Sequence, residues 1–551
     1  MNNMKTYRII TLLAIVCPIR ALAQESVELP SRSITVESTY NPIFSEVGKI
    51  MPLPEKESAS RQQVPVNYLT EANPYGERIR KEMNVFGLES DNVKSRDIAG
   101  LLRIGYGVRN ISDGLLDFGW RITDRDYLKV SGMLDGWNSK PDKKWQSHMF
   151  NSNISAEYSR RFKTFDASLK SGYGYSRFNY RPGVLMSDEQ LAASSLFQNV
   201  RQGELSGAIR SNAGSNVDFY VNGGGQWLIR DGLDVNGTVR SNKEGIVRFG
   251  AGFNKALDKG SLSFDYRQKS TVYRWQGLYG CEYTNFTTFT LSPVWHYSKG
   301  EWETDLGLNL DMRTRAGEPF LASPVIKLTY SLRDNFKIRG SITGGLEEYD
   351  MRRLAAISPY WSEENRIYDG YTVFNLSTGI FYNNPSKLSA SVDVGYRYTI
   401  DEVFQVAQDS MLVTSVLKQQ AASVLYLKGA LDLRLYERAQ LKFDMIYSNY
   451  LGSYFGRKME LKPAIDASVF GRMTIIRGLD AMLTYRLMGF HKVVGESMPV
   501  VNDLSLTADY DYNRNISFYT TLKHLFGGNY YYYAGYRTLR PAILVGVVYK
   551  L

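Results

Sequence analysis

From about residue 97 onward, apolar and polar side chains alternate strictly over runs of nine to twelve residues. Leu116, Phe118, Trp120 and Ile122 alternate with Asp117, Gly119, Arg121 and Thr123. Trp302, Thr304, Leu306, Leu308, Leu310 and Met312 alternate with Glu301, Glu303, Asp305, Gly307, Asn309 and Asp311. Leu388, Ala390, Val392, Val394, Tyr396 and Tyr398 alternate with Ser389, Ser391, Asp393, Gly395 and Arg397. A period of two is that of a strand, whose successive side chains point to opposite faces. Strands of soluble sandwiches average about five or six residues. The longer runs here match what a tilted strand needs to cross a bilayer. Aromatic residues near their ends, such as Trp302, Tyr398 and Tyr549, fit interfacial girdles. The pattern predicts an all-β protein: a transmembrane antiparallel β-barrel over residues 96–551, with one face of each strand toward lipid.

The connections set the strand number. Short turns rich in Asn, Asp, Gly, Ser and Lys fall near 123–126, 162–164, 213–216, 257–260, 298–300, 333–335, 383–386, 436–439, 476–478 and 513–515. Longer links fall near 137–148, 178–203, 230–245, 271–286, 313–322, 347–371, 400–420, 451–461, 489–502 and 525–540, and a first one near 110–114 belongs to the same series. The two series alternate, which gives about 22 strands. An even count puts both ends of the barrel chain on one side. In bacterial barrels that side, with the short turns, is periplasmic. The last strand alternates through Ile543, Val545, Val547 and Tyr549 to Leu551, a terminus suited to the barrel-insertion machinery. A solenoid or propeller would need a repeat of fixed length, and none is present.

Composition agrees. The chain has 39 Tyr, 25 Phe and 47 Gly, yet its mean hydropathy is negative, as expected when apolar residues occupy every second position. Residues 1–23 read as a secretory signal peptide: Lys5 and Arg8, an apolar run from Ile9 to Val16, then Ala21-Leu22-Ala23. Cys17 raises a lipoprotein alternative, in a poor context between Val16 and Pro18. Cleavage leaves Cys281 alone, so no intrachain disulfide can form. It also removes Lys5, Arg8 and Arg20, taking the formal charge from +10 to about +7. The basic residues are scattered singly, which argues against nucleic acid and for outer-leaflet lipid or anionic ligands. Residues 24–95 are polar and broken by Pro30, Pro42, Pro52, Pro54, Pro65 and Pro74. They hold too few apolar side chains for a core of their own and read as a mostly irregular periplasmic arm. Its clearest feature is the strand-like run Ser33, Ile34, Thr35, Val36 and Glu37.

A 22-strand barrel behind a periplasmic arm resembles the TonB-dependent receptor family. That resemblance implies solute import energised from the inner membrane. It also implies that Ser33–Glu37 acts as the TonB box, pairing with TonB by strand addition. The alternative is a strand that packs on the barrel rim or on another periplasmic protein. The family places a globular plug between box and barrel. Here only residues 38–95 lie between the two, without the plug's strand-rich pattern, and they would serve as a partial stopper.

Catalysis finds little footing in the sequence. The four histidines, His148, His296, His491 and His524, are not spaced as metal ligands, and no Ser-centred elbow or phosphate loop appears. No catalytic residue, metal or cofactor is therefore expected. The candidate ligand contacts are in the long loops: Arg352, Arg353, Tyr360 and Trp361 in one, Tyr531 and Tyr533 in another. Arginines beside aromatic rings can stack on sugar faces and pair with anions. The bland alternative is that these rings seal the mouth by packing on one another. Lumen-facing Asp117, Arg121, Glu303, Asp305, Asp393 and Arg397 either line a pathway or form a ladder of cross-strand pairs. Two functions follow: a receptor-like porter or gated channel for a solute, or a non-transporting barrel subunit that docks a partner through its arm.

Overall fold

The computed structural model describes residues 98–551, apart from 141–144, 190–195, 213–216, 233–239, 275–283, 315–318, 363–366, 385–386, 410–411, 436–437, 452, 455–456, 459–461, 491–498, 528–529, 534 and 538–539. The expected signal peptide, the arm with Ser33–Glu37, and Cys281 lie outside the described residues.

Among the described residues, 22 strands form the wall. β1 to β5 are Ile98–Gly107, Ile111–Arg121, Asp126–Ser139, Ser147–Arg161 and Phe165–Asn179. β6 to β11 are Phe197–Ser211, Val217–Gly232, Arg240–Leu257, Gly260–Arg274, Phe286–Lys299 and Trp302–Arg313. β12 to β17 are Phe320–Arg333, Phe336–Glu347, Gly370–Asn384, Leu388–Asp409, Leu412–Leu435 and Ala439–Tyr450. β18 to β22 are Pro463–Ile476, Leu479–Phe490, Val501–Asp511, Ile516–Lys523 and Ala542–Lys550. Each pairs antiparallel with its sequence neighbours, and β1 pairs with β22, Leu102 opposite Tyr549 and Tyr106 opposite Val545. The sheet closes on itself and leaves no free edge for other chains.

The alternation sorts the two faces as expected. Ile104, Leu169, Leu308, Val392 and Val394 point outward and are exposed, Ile104 at 61%. No helix among the described residues is long and apolar enough to cross a membrane. The lipid-facing surface belongs to the strands. Inward-facing charges pair across strands: Arg103 with Asp113 at 2.8 Å, Lys170 with Glu204 at 2.9 Å, Arg486 with Asp466 at 2.7 Å. Short turns form where local chemistry favours them. Thr123 Oγ1 accepts from the amides of Arg125 and Asp126, and Asn513 Oδ1 accepts from those of Asn515 and Ile516. Gly478 sits at φ 84°, a conformation that costs glycine little.

Two connections depart from expectation. The first turn is at Val108–Asn110, with Arg109 and Asn110 both at positive φ, and β2 already begins at Ile111. The stretch 400–420 is not a loop: β15 and β16 run through it as one hairpin, 22 and 24 residues long. The register shifts between Thr399 and Glu402, and Asp401 takes φ 60° there. Such a bulge bends a strand and increases its twist. Beyond it Val403, Phe404, Leu417 and Ser415 are all buried. The hairpin's outer half is therefore covered on both faces, which an ordinary projecting loop is not.

Candidate functional site

The largest buried cluster lies at the long-loop end and is built around the connection 348–369 between β13 and β14. The chain turns into it at Gly344 and Gly345. A Cβ on Gly344 would come within 2.6 Å of the Thr372 carbonyl, and Gly345 has φ 144°. Asp350 then caps helix α1, Met351–Ile357, by accepting from the Arg353 amide at 2.9 Å. After the helix, Trp361–Ser362 adds to β16 as a short parallel strand, opposite Ser415 and Val416. The segment is thus stitched to the barrel by backbone hydrogen bonds as well as by packing.

Its charged side meets the wall. Arg248 on β8 donates to Glu348 and to Asp350, both at 3.2 Å. Lys269 on β9, only 3% exposed, lies 3.1 Å from Glu348. The Met351 amide donates to the Glu244 carboxylate at 3.1 Å. Arg352 reaches Glu204 on β6 at 3.2 Å and the Gly203 carbonyl at 3.1 Å. Arg353 folds back on Glu347 at 2.9 Å. Burial would raise the Glu348 carboxyl, but Lys269 and Arg248 beside it hold it below the usual range. Asp369, at the end of the connection, is a further counter-charge for Lys269, so Glu348 and Asp350 are two members of a larger set of carboxylates around this buried cation.

Its apolar side meets other loops. Tyr360 is 2% exposed and Trp361 1%. Tyr360 stacks on Tyr536, ring centroids 3.4 Å apart, and meets Tyr533 edge-on at 5.7 Å. Arg230 on β7 donates to the carbonyls of Trp361 and Pro359 at 3.0 and 3.2 Å and to the Tyr180 hydroxyl at 2.7 Å. Tyr536 donates to the Val413 carbonyl at 2.7 Å and accepts from the Arg181 amide at 3.2 Å. Burial pushes the Tyr533 hydroxyl up to about 12 and raises that of Tyr536. These hydroxyls stay neutral hydrogen-bonding groups at physiological pH. Residues 180–182, 360–361, 413–416, 533 and 536 therefore interlock into one cluster at the long-loop end.

Of the residues singled out from sequence, Arg352, Arg353, Tyr360 and Trp361 share one segment, and Tyr533 joins them from another loop. Tyr531 shares the short hairpin with Tyr533, half-buried and opposite Arg537. The wall partners Glu204, Arg230, Glu244, Arg248 and Lys269 were missed. Period two marks each as a charge at an inward position, but not the loop that it meets. Ser263, His296 and Asp305 form a further chain on neighbouring strands, 2.8 Å from Ser Oγ to Nε2 and 2.7 Å from Nδ1 to the carboxylate. All three sit inside paired strands, so the backbone amides beside them are engaged in the ladder. Acyl transfer needs donors aimed at an oxyanion. The trio has the geometry of a cross-strand polar network.

No protein-family model and no curated protein matches the chain. Solved structures do. The siderophore receptor PirA from Acinetobacter baumannii superposes with a TM-score of 0.64 at 13% identity, over 84% of this chain and 81% of that one. The ferric enterobactin receptor PfeA from Pseudomonas aeruginosa gives 0.63 at 12%, over 84% and 81%. The copper transporter OprC gives 0.60 at 14%, over 82% and 80%. At such identities the likeness is one of fold, and it bears out the barrel architecture read from the strand count.

Proposed function

From a barrel shared with solute receptors, we propose that this chain is an outer-membrane transporter and that connection 348–369 is its gate. The observation that carries the reading is the chemistry of the closure. The connection meets β6, β8 and β9 through ion pairs as well as through apolar packing. Buried ion pairs add little net stability over apolar packing. They can, however, be exchanged for contacts to a ligand. Arg352, Arg353, Tyr360, Trp361, Tyr531 and Tyr533 are the groups a solute would engage as it displaces the gate. The long-loop mouth faces outward, and both ends of the mature chain face the periplasm. There Ser33–Glu37 serves as the strand that pairs with TonB, a role that rests on the family resemblance.

A second reading, a sealed subunit that docks a partner through residues 24–95, draws support from the aromatic packing around Tyr360. Single-channel conductance of full-length protein in planar bilayers separates the two. Wild type should be closed, and Glu348→Gln/Asp350→Asn should open it. A double variant that migrates as a folded barrel and still passes no current would favour the sealed subunit.

A further inference from the structure

The ladder of inward ion pairs thins over β13 to β16. Lys337 and Arg339 on β13, and Lys428 and Arg434 on β16, point inward and have no carboxylate within 4.0 Å among the described residues. Arg339, Gly379, Asp393 and Lys428 occupy one register row across four adjacent strands. Among these four positions Asp393 is the only carboxylate, and it lies over Gly379, where a Cβ would come within 2.2 Å of its oxygen; beyond Arg339 the row continues through Thr329 to Glu303 on β11. Nearby carboxylates are already engaged: Asp432 with Lys442, and Glu402 with Arg397 and Lys462.

Two of these cations are also held in place and accessible. Arg339 and Lys428 are both exposed. The Arg339 guanidinium sits 4.1 Å from the Phe381 ring centre and Lys428 4.8 Å from that of Tyr426. A ring face steadies a cation while leaving its N–H donors free. One row toward the long loops, the Ser341 and Ser377 hydroxyls meet at 2.7 Å, one donating to the other, which leaves the second hydroxyl proton as a further donor. Elsewhere in the lumen, cations such as Arg103, Lys170 and Arg486 are paired. Grouping unpaired like charges on one wall is unfavourable for the barrel by itself.

We propose that this wall, centred on Arg339 and Lys428, binds an oxyanionic solute in the half of the lumen nearer the short turns. That the bound anion is the transported solute rests on the transport reading; the binding itself does not.

The test is equilibrium dialysis of full-length protein in detergent against radiolabelled inorganic phosphate, at ionic strength fixed with potassium chloride. Wild type should bind phosphate saturably. Arg339→Gln/Lys428→Gln should bind about tenfold more weakly or worse, the scale of one charge-assisted hydrogen bond. Lys129→Gln, which removes a paired inward cation, should bind as wild type does. Arg339→Lys/Lys428→Arg should largely restore binding. If the double variant fails to show heat-modifiable migration, Lys428→Gln alone should still weaken binding. Equal binding by wild type and the glutamine variants, or no saturable binding by wild type, would overturn the proposal. Phosphate binding in a protein whose gate variant never conducts would leave the anion site standing and sink the transport reading. Conduction without binding would do the reverse.

Discussion

At the scale of single residues, the membrane is the strongest discriminator. Leu308 and Asn309 are neighbours on β11, near its middle. Leu308 points to lipid and is 41% exposed. Asn309 points inward, accepting from Ser292 at 2.6 Å and donating to the Gly344 carbonyl at 2.8 Å. Leu308→Arg should cost about 2–4 kcal/mol if the site lies at the bilayer midplane. Asn309→Ala removes hydrogen bonds and should cost about 1–3 kcal/mol. Folding yield by heat-modifiable migration should therefore fall more for Leu308→Arg. Equal yields would mean that the facing is wrong. That facing was legible in the sequence, because period two needs only a count of positions. The partners of Arg352 and Glu348 were not legible, because Glu204, Arg248 and Lys269 lie 80 to 150 residues away along the chain and meet them only once the barrel closes.

At the scale of elements, strands and short turns followed from pattern and turn chemistry. Seven of the ten short turns lie wholly among the described residues, and each falls where its Asn, Asp, Gly, Ser or Lys cluster puts it. The β15–β16 hairpin did not follow, because membrane thickness sets strand length only inside the bilayer. Beyond it, what decides whether a strand continues is whether something covers it. Here Trp361–Ser362 and Arg181–Pro182 pair with the outer part of β16, supplying partners from distant sequence. The bend that aims the hairpin rests on Asp401 at φ 60°. An aspartate tolerates that conformation and a glycine more so, but a β-branched residue is strained there by about 1–2 kcal/mol. Asp401→Val should loosen the outer hairpin and raise its protease sensitivity in detergent, whereas Asp401→Gly should not. Equal sensitivity of the two variants would show that the bend does not depend on this residue.

At the scale of the whole molecule, the question is what the barrel needs in order to exist. Every wall strand has a paired neighbour on both sides within residues 98–551, and β1 closes on β22 over seven register pairs. The proposed gate is also internal to this range among the described residues, since its helix, its ion pairs and its aromatic packing come from residues 137 and later. The strand pairing among the described residues closes the ring by itself. A closed barrel stores its cooperativity in the ring: losing one strand opens two edges, whereas losing a segment outside the ring opens none. Deleting residues 24–95 should therefore leave a protein that inserts and keeps heat-modifiable migration. The gate should stay shut in that deletion and open again on adding Glu348→Gln/Asp350→Asn, as judged by conductance. Loss of the folded form on deletion would assign the segment a part in assembling the ring. A folded deletion that conducts without the gate substitutions would instead place a second barrier to flow in residues 24–95, in series with the gate at the outer mouth.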